Sequence, residues 1–520
     1  MNRLEMLNRV LDRTESWDLV IIGGGATGVG CAVDAASRGY EVLLLEQSDF
    51  GKGTSSRSTK LVHGGVRYLE QGNISLVIEA LRERGLLRQN APHLVTDLAF
   101  VVPSYDWWES PFYGLGLKVY DVLAGKYGFG RSQNLSHEET LARLPTIKPE
   151  GLRGGIVYYD GQFDDTRLLI NLVQTAADQG ATLLNYAPVT GLTKGADGFV
   201  NGVEAHDAET GRPLYPRAKV VINATGPFSD SVRHMADPGV TPMISPSQGV
   251  HLVFDRSFLP GNSAIMVPHT SDGRVMFAIP WNRHTVVGTT DTPITNPSLE
   301  PHPMPEEIDF ILETAGCYLH KAPTRADVLS VFVGIRPLVS SGHAGSTSAI
   351  SRDHTIHIDG SGLLSIAGGK WTTYRRMAED CIDQAATLAE LPEKPAVTAH
   401  LNIHGFHKHA DKFENLASYG SDSIAIQDLI RNEPSLGEAL HPALIYCGAE
   451  VIWAARVEMA RTVEDVLARR TRALFLNAQA ASAMARRVAA LMARELHRDQ
   501  TWQSQQVRDF QELARNYQLS

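Results

Sequence analysis

Cysteine is scarce in this 520-residue chain: Cys31, Cys317, Cys381 and Cys447 are scattered, with no Cys-x-x-Cys pair. Such spacing argues against a disulfide framework or a thiolate zinc site and fits a reducing compartment. No apolar run reaches membrane-spanning length, and the charged start Met1-Asn-Arg-Leu-Glu5 lacks a signal-peptide core. The expectation is a cytoplasmic protein that can still lie on the inner face of the cytoplasmic membrane. A basic excess is missing too: the net charge is −10, which disfavours a nucleic-acid partner. Internal repeats and low-complexity tracts are absent. The rest, 43% hydrophobic and 20% charged residues, is ordinary globular composition, long enough for two to four domains.

The first positive signal is a dinucleotide fingerprint in its required context. Asp18-Leu-Val-Ile-Ile22 predicts a buried strand, Gly23-Gly24-Gly25-Ala-Thr-Gly28 a tight turn, and residues 29 to 37 a helix. Gly23 permits the turn, Gly25 lets a pyrophosphate approach the backbone, and Gly28 lets the helix pack closely. The helix N-terminus supplies amide donors and a favourable dipole. A second strand, Glu41–Leu45, ends at Glu46, twenty-one residues beyond Gly25, where an acid accepts ribose hydroxyls.

Two later strand-to-glycine junctions favour FAD over NAD. Val220-Val-Ile-Asn-Ala-Thr225-Gly226 is one, and Leu363-Leu-Ser-Ile-Ala-Gly368-Gly369-Lys370-Trp-Thr372 opens into a helix. A helix N-terminus against the flavin pyrimidine edge stabilises the negative charge of the reduced ring. Both junctions resemble motifs of the glycine-oxidase-like flavoprotein superfamily, so FAD, held non-covalently, is the expected cofactor.

The segment Thr54-Ser55-Ser-Arg-Ser58-Thr-Lys-Leu-Val-His63-Gly64-Gly65-Val-Arg67-Tyr68-Leu-Glu70 fits neither a core nor an ordinary surface loop. Hydroxyls at Thr54, Ser55, Ser56 and Ser58 can donate to phosphate or ring oxygens. The Gly64-Gly65 pair admits a flat ligand, and Arg67 and Tyr68 add a cation and a phenol. As a string it closely resembles the flavin-contact segment of FAD-dependent glycerol-3-phosphate dehydrogenases, respiratory enzymes that pass electrons to quinone. Covalent flavin attachment occurs through histidine in some relatives, which singles out His63 for inspection.

Further strings extend the resemblance over about residues 16 to 480. Gly334-Ile-Arg336-Pro-Leu, Ser351-Arg352-Asp and Gly369-Lys370-Trp-Thr-Thr-Tyr supply cations suited to a phosphate dianion. By the match, Arg336, Arg352 and Lys370 are implied as substrate contacts, with Arg67 and Tyr68 beside them. Gly288-Thr-Thr290-Asp291 is family-like as well, with Thr290 able to bond the triose or the flavin edge. Gln248-Gly-Val-His251 resembles a strand whose histidine lies near the reacting carbon. The implied reaction converts sn-glycerol 3-phosphate to dihydroxyacetone phosphate, a hydride leaving for flavin N5 while a base takes the hydroxyl proton. His251 is a candidate base, Arg336 can stabilise the alkoxide, and His63 can bond flavin or substrate; residue identity alone does not choose between them. The rivals are an oxidase passing electrons to oxygen, an amine or amino-acid oxidase, and a flavin-binding scaffold or RNA-modifying flavoprotein.

The expected fold class is an α/β FAD-binding domain of the glutathione-reductase-like Rossmann type. It comprises residues 16–90, 150–240 and 340–390, interleaved with an antiparallel-sheet α+β substrate domain at 91–149 and 241–339. An all-α C-terminal domain is expected over 400–520, where the stretch carrying Arg456, Arg461, Arg469, Arg470 and Arg472 reads as mostly core plus a solvated arginine face. The stretch from Pro92 to Pro149 reads as helical pieces, and Asp160–Ile170 as the start of a helix. Two apolar stripes, Leu4/Leu7/Leu11 and Leu115/Val119/Val122/Leu123 after Trp107-Trp108, are candidates for peripheral membrane contact. A homodimer is compatible with all of this.

Overall fold

Leu19–Ile22 and Val42–Leu45 run without polar alternation, so neither strand has a face suited to water. The computed structural model, which describes residues 1–66, 69, 73–106, 109–268, 270, 274–340 and 353–519, places both at the centre of a sheet. Six described strands lie in the order His354–Ile358, Leu364–Gly368, Ala218–Asn223, Trp17–Ile22, Val42–Leu45, Thr182–Leu184. All pairs are parallel except the edge pair His354–Ile358 with Leu364–Gly368. Helices Ala26–Ser37, Asp165–Asp178 and Tyr374–Leu388 pack together over this sheet in one core.

The second large sheet has ten described strands, all paired antiparallel except Ser263–Val267 with Val95–Ser104. Its longest pair, Ile244–Asp255 with Val328–Val339, sets Gly249 opposite Gly334 and His251 opposite Phe332. That register, with His251 also opposite Gly288 on the next strand, aims one face of this sheet at the junction with the first.

Four expectations need correction here. The 92–149 stretch contains a ten-residue strand, Val95–Ser104, paired along its whole length with Gly154–Phe163. Asp160–Phe163 therefore ends a strand rather than opening a helix; the helix starts at Asp165, capped by the Asp164 carboxylate on the Thr166 and Arg167 amides. Gly154–Phe163 and Leu61–Val62 also lie in the second sheet, although both fall in segments expected in the flavin domain. Finally, the arginines at 469, 470 and 472 do not face solvent. All three are buried, ion-paired to Asp49 and Asp165 of the flavin domain.

The chain beyond Ala410 is helical apart from short connections, as expected. Its last forty residues, silent in the sequence, pack against the second sheet. Phe510 and Ala514 are buried, the Tyr517 carbonyl accepts from the Val331 amide at 2.9 Å, and its hydroxyl donates to Glu300 at 3.1 Å. At the N-terminus, Leu7 of the helix Arg3–Asp12 packs inward while Leu4 is exposed, so that stripe is divided between core and solvent. Among the described residues no helix is long and apolar enough to cross a membrane.

His404 ties the connection after Leu391-Pro-Glu-Lys-Pro395 to both sides. Its Nδ1 lies 2.6 Å from Asp178 at the end of the helix Asp165–Asp178, and its Nε2 lies 3.1 Å from Asp422, just before the helix Ser423–Asn432. Burial alone would depress this imidazole, but the two carboxylates outweigh it and hold the group up at about 9. A folded-state value above the unfolded value of about 6.5 gives stabilisation that is complete below that pH and is lost as pH rises through 9. His404→Gln is expected to unfold earlier than the wild type at pH 6–7, by about 1–2 kcal/mol given partial exposure. In denaturant titrations the difference should shrink towards pH 10; a pH-independent difference would contradict the clamp.

Candidate active site

The glycine turn is as tight as backbone permits. Gly23 sits at φ +112°, and a Cβ on Gly28 would overlap the Gly23 carbonyl oxygen, so the helix from Ala26 can start only with glycine there. A cavity of about 370 Å³ follows, lined by Gly23, Gly25, Ala26, Glu46, Thr54, Ser55, Thr225, Gly226 and the Gly368–Trp371 turn. At one end the Glu46 carboxylate accepts the Gly24 amide at 2.6 Å and the Ser48 amide at 2.9 Å, which fixes it towards the cavity. Ser55 Oγ accepts the Ala26 amide at 2.9 Å and joins the helix start to the hydroxyl-rich segment.

A second cavity of about 240 Å³ continues from the first, sharing Thr54, Pro337, Gly368, Gly369, Lys370 and Trp371 as common wall. Its own lining includes Arg57, Thr59, His63, His251, Phe277, Arg336 and Thr372. No carboxylate is among the described lining residues, so its electrostatics favour an anion. The Arg336 guanidinium is held from behind by Asp291 at 3.1 Å and by the Thr290 carbonyl at 2.9 Å. Asp291 in turn accepts the Ser247 hydroxyl. His63 lies at the mouth, its amide bonded to Thr372 Oγ1 and its ring 6.4 Å from that of Phe277.

Several expected contacts have other duties. Of the four hydroxyls offered to a ligand, Thr54 donates to the Ile335 carbonyl at 2.6 Å, Ser56 to the Gly53 carbonyl at 3.2 Å and Ser58 to Asp165 at 2.7 Å. Ser55 is the one whose oxygen serves the nucleotide turn. Thr290 is buried away from both cavities: its hydroxyl donates to Glu307 at 3.0 Å and accepts the Val250 amide. Gly64 lines neither cavity, and its missing side chain is explained by Leu81 and the Tyr120 hydroxyl, which a Cβ would meet at about 2.5 Å. Gly65, at φ +77°, is likewise outside both linings. Arg67, Tyr68 and Arg352 lie outside the described residues.

His251 is not placed as a free base. Its ring stacks on Phe332 at 4.7 Å, is backed by Gly288, and binds Thr59 Oγ1 through Nε2 at 2.8 Å. Burial first, then the nearby Lys60 and Arg336 charges, push its pKa well below the usual histidine value and keep the ring neutral. Lys60 itself is fully buried, its ammonium on Asp165 at 2.7 Å, and burial lowers it to about 8 against that carboxylate's pull. Thr59, Phe277 and Trp371 join the site without having been singled out in sequence. Trp371 had a signal, lying inside the Gly-Gly-Lys-Trp junction, whereas Thr59 meets His251 across 192 residues and Phe277 looks like any core strand residue.

The arrangement fits an extended dinucleotide carrying a ring at its far end: a close-approach turn and acid at one end, and a glycine-walled passage to an anion-favouring chamber at the other. A family model described as FAD dependent oxidoreductase matches residues 18–375, and one described as the C-terminal domain of alpha-glycerophosphate oxidase matches 362–503. The chain is 42% identical to the mitochondrial glycerol-3-phosphate dehydrogenase of Mus musculus, over 94% of this chain and 71% of that one. It is 41% identical to that of Homo sapiens, over 98% and 74%. A crystal structure of glycerol-3-phosphate dehydrogenase from Bacillus halodurans complexed with FAD superimposes with a TM-score of 0.81 at 30% identity, covering 99% of this chain and 97% of that one.

Gly28→Val tests the turn. Its side chain has backbone to displace, so the purified variant should lack the visible flavin band, or fail to accumulate, while Gly360→Val, away from both cavities and where a Cβ meets nothing within 4 Å, should keep it. A fully flavinylated Gly28→Val protein would contradict the placement of the cofactor in this cavity.

Proposed function

The chain belongs to the family of FAD-dependent glycerol-3-phosphate dehydrogenases, and from that premise we propose which of its groups act on the substrate and that its electrons leave for a membrane quinone. FAD, when bound, accepts the hydride from C2 of sn-glycerol 3-phosphate, and dihydroxyacetone phosphate is the product. The observation that carries the assignment is the second cavity: cationic at Arg336 and Lys370, free of carboxylates in its described lining, and open to the first through the Gly368–Trp371 turn.

Arg336 and Lys370 bind the anionic end of the substrate, with Arg67, Tyr68 and Arg352 assigned to the same role by the family strings. Both terminal nitrogens of Arg336 are already engaged, by the Gln248 and Thr290 carbonyls, Asp291 and the Thr289 hydroxyl, so it acts as a positive charge fixed in place in advance and little order is lost on binding. Anchoring a remote phosphate fixes C2 against the cofactor, an orientation effect able to supply several kcal/mol. His63 takes the hydroxyl proton, since it lines the chamber, whereas His251 would have to become a buried cation beside Lys60 and Arg336.

Support for the quinone comes from an exposed apolar surface beside the site. The helix Ile74–Asn90 follows the signature segment and packs on the helix Glu109–Ala124. Together they turn Ile74, Ile78, Leu115, Val119 and Val122 outward, with Leu115 at 69% and Val122 at 79% exposure. A face of this kind suits the headgroup region of a bilayer, from which a quinone would come, and supports reading the protein as a peripheral enzyme on the cytoplasmic side. Leu123, expected on the same face, is partly buried.

Steady-state assays separate this from its nearest rival. With glycerol 3-phosphate the holoenzyme should reduce a short-chain quinone anaerobically and yield little peroxide in air. Arg336→Gln should lower kcat/KM by about 10- to 100-fold, the worth of one charged hydrogen bond. Stoichiometric peroxide with no quinone reduction would assign the chain to the oxidases instead, and equal turnover of glycine would remove the phosphate clamp.

A further inference from the structure

His251 and Thr59 make a pair whose hydrogen-bond accounting has one economical solution. The ring is 3% exposed and gripped between Phe332 and the Gly288 backbone, so it cannot turn to seek partners. Its Nε2 lies 2.8 Å from Thr59 Oγ1. Its Nδ1 is buried and has no hydrogen-bond partner among the described residues. In a neutral imidazole one nitrogen carries the proton and the other is bare. Placing the proton on Nδ1 would bury an unpaired N–H donor, a rare and costly arrangement. Among the described residues Asp165 is the one acidic group bearing on this ring, and it is engaged by Lys60, Arg472 and Ser58. The proton therefore belongs on Nε2, which donates to Thr59 Oγ1. That leaves the hydroxyl proton of Thr59 without an acceptor among the described residues, on a side chain that lines the second cavity.

We propose that Thr59 is a substrate-contact residue: its hydroxyl, turned outward by the Nε2–H tautomer of His251, donates a hydrogen bond to the alcohol oxygen undergoing oxidation. The inference rests on the reading that this chamber holds the secondary alcohol beside the flavin. In the reaction the substrate's hydroxyl proton goes to the base and the C2 hydride to the cofactor as the C2=O bond forms. Thr59 keeps its own proton throughout. The donor's contribution is greatest while negative charge is developing on the oxygen, so it acts on the chemical step more than on binding. His251 is then a positioning residue: it fixes which way the threonine proton points and itself neither gains nor loses charge. This accounts for a histidine in a place where its cation is strongly opposed.

The test uses holoenzyme and single-turnover anaerobic flavin bleaching by glycerol 3-phosphate. Thr59→Val is isosteric and removes only the donor; it should bind FAD as the wild type does and slow bleaching by about 10- to 100-fold, with a much smaller change in the half-saturating substrate concentration. Thr59→Ser should recover the rate to within about threefold. Independently, in wild-type holoenzyme labelled with [15N]histidine, the His251 signal, identified by its loss in His251→Gln, should show a protonated Nε2 and a bare Nδ1. Bleaching of Thr59→Val at the wild-type rate, or an Nδ1–H tautomer, would overturn the assignment while leaving the enzyme's function intact. Wild-type protein that glycerol 3-phosphate does not bleach would overturn the functional reading and the Thr59 assignment with it.

Discussion

A turn of buried arginine holds this enzyme's cofactor site in shape. Within the π-helical turn Asp465–Arg470 and the residues just after it, Arg469 and Arg470 both reach Asp49, at 2.6 and 2.7 Å, while Arg472 reaches Asp165 at 3.2 Å and the Ser56 carbonyl at 2.7 Å. Asp49 lies three residues past Glu46 and would be raised by burial, but the two arginines hold it at about 2. Asp165 anchors Ser58 and Lys60 from the opposite side of the signature segment. Charges this deep are tolerated only with complete partners, and removing one partner of such a set typically costs about 3–5 kcal/mol. Since the carboxylates come from the flavin domain and the guanidiniums from the C-terminal one, the loop around the cofactor takes its form only when both are folded and docked.

This constraint explains why the hydroxyl-rich segment is used mostly inwards. Thr54, Ser56 and Ser58 spend their protons on the protein, and their product is a rigid loop rather than a set of ligand contacts. A rigid loop lets two cavities share one wall of Thr54 and the Gly368–Trp371 turn, so that each opens to the other at a defined place. The charge division follows the same economy. Acidic groups that steady the lining cations, Asp291 on Arg336 and Glu300 on Arg57, are not part of the described lining, which keeps the chamber favourable to an anion. The C-terminal residues contribute at one remove, through Tyr517 on Glu300, which also pairs with Arg57 in the lining of the second cavity.

Much of this was legible in the sequence where the signal is local. The strand–turn–helix at Asp18–Ser37 and the junction at Leu363–Tyr374 could be read because apolar runs and glycines there have a single economical conformation. The strand Val95–Ser104 was hidden by Pro103 and by flanking aromatics and prolines, which suggested irregular helix. Gly154–Phe163 was hidden by the Asp160-Gly161 pair, which looks like punctuation but lies inside a paired strand. The buried arginines could not be read at all: Arg470 and Asp49 are 421 residues apart, and a run of Arg-Arg-Thr-Arg on a helix ordinarily means solvent. The same distance problem conceals Thr59 and His251, and Thr290 misled because a threonine beside a substrate strand can serve backbone amides as readily as a ligand.

The most direct test of the central claim is anaerobic: the oxidised, flavin-loaded protein is mixed with sn-glycerol 3-phosphate, and separately with glycerol, while the flavin band is followed. A chamber built to anchor a phosphate dianion beside the cofactor predicts rapid, complete bleaching by the phosphate ester and slow or negligible bleaching by glycerol. Equal rates with both alcohols, or no bleaching by the ester in protein with a full complement of flavin, would contradict it.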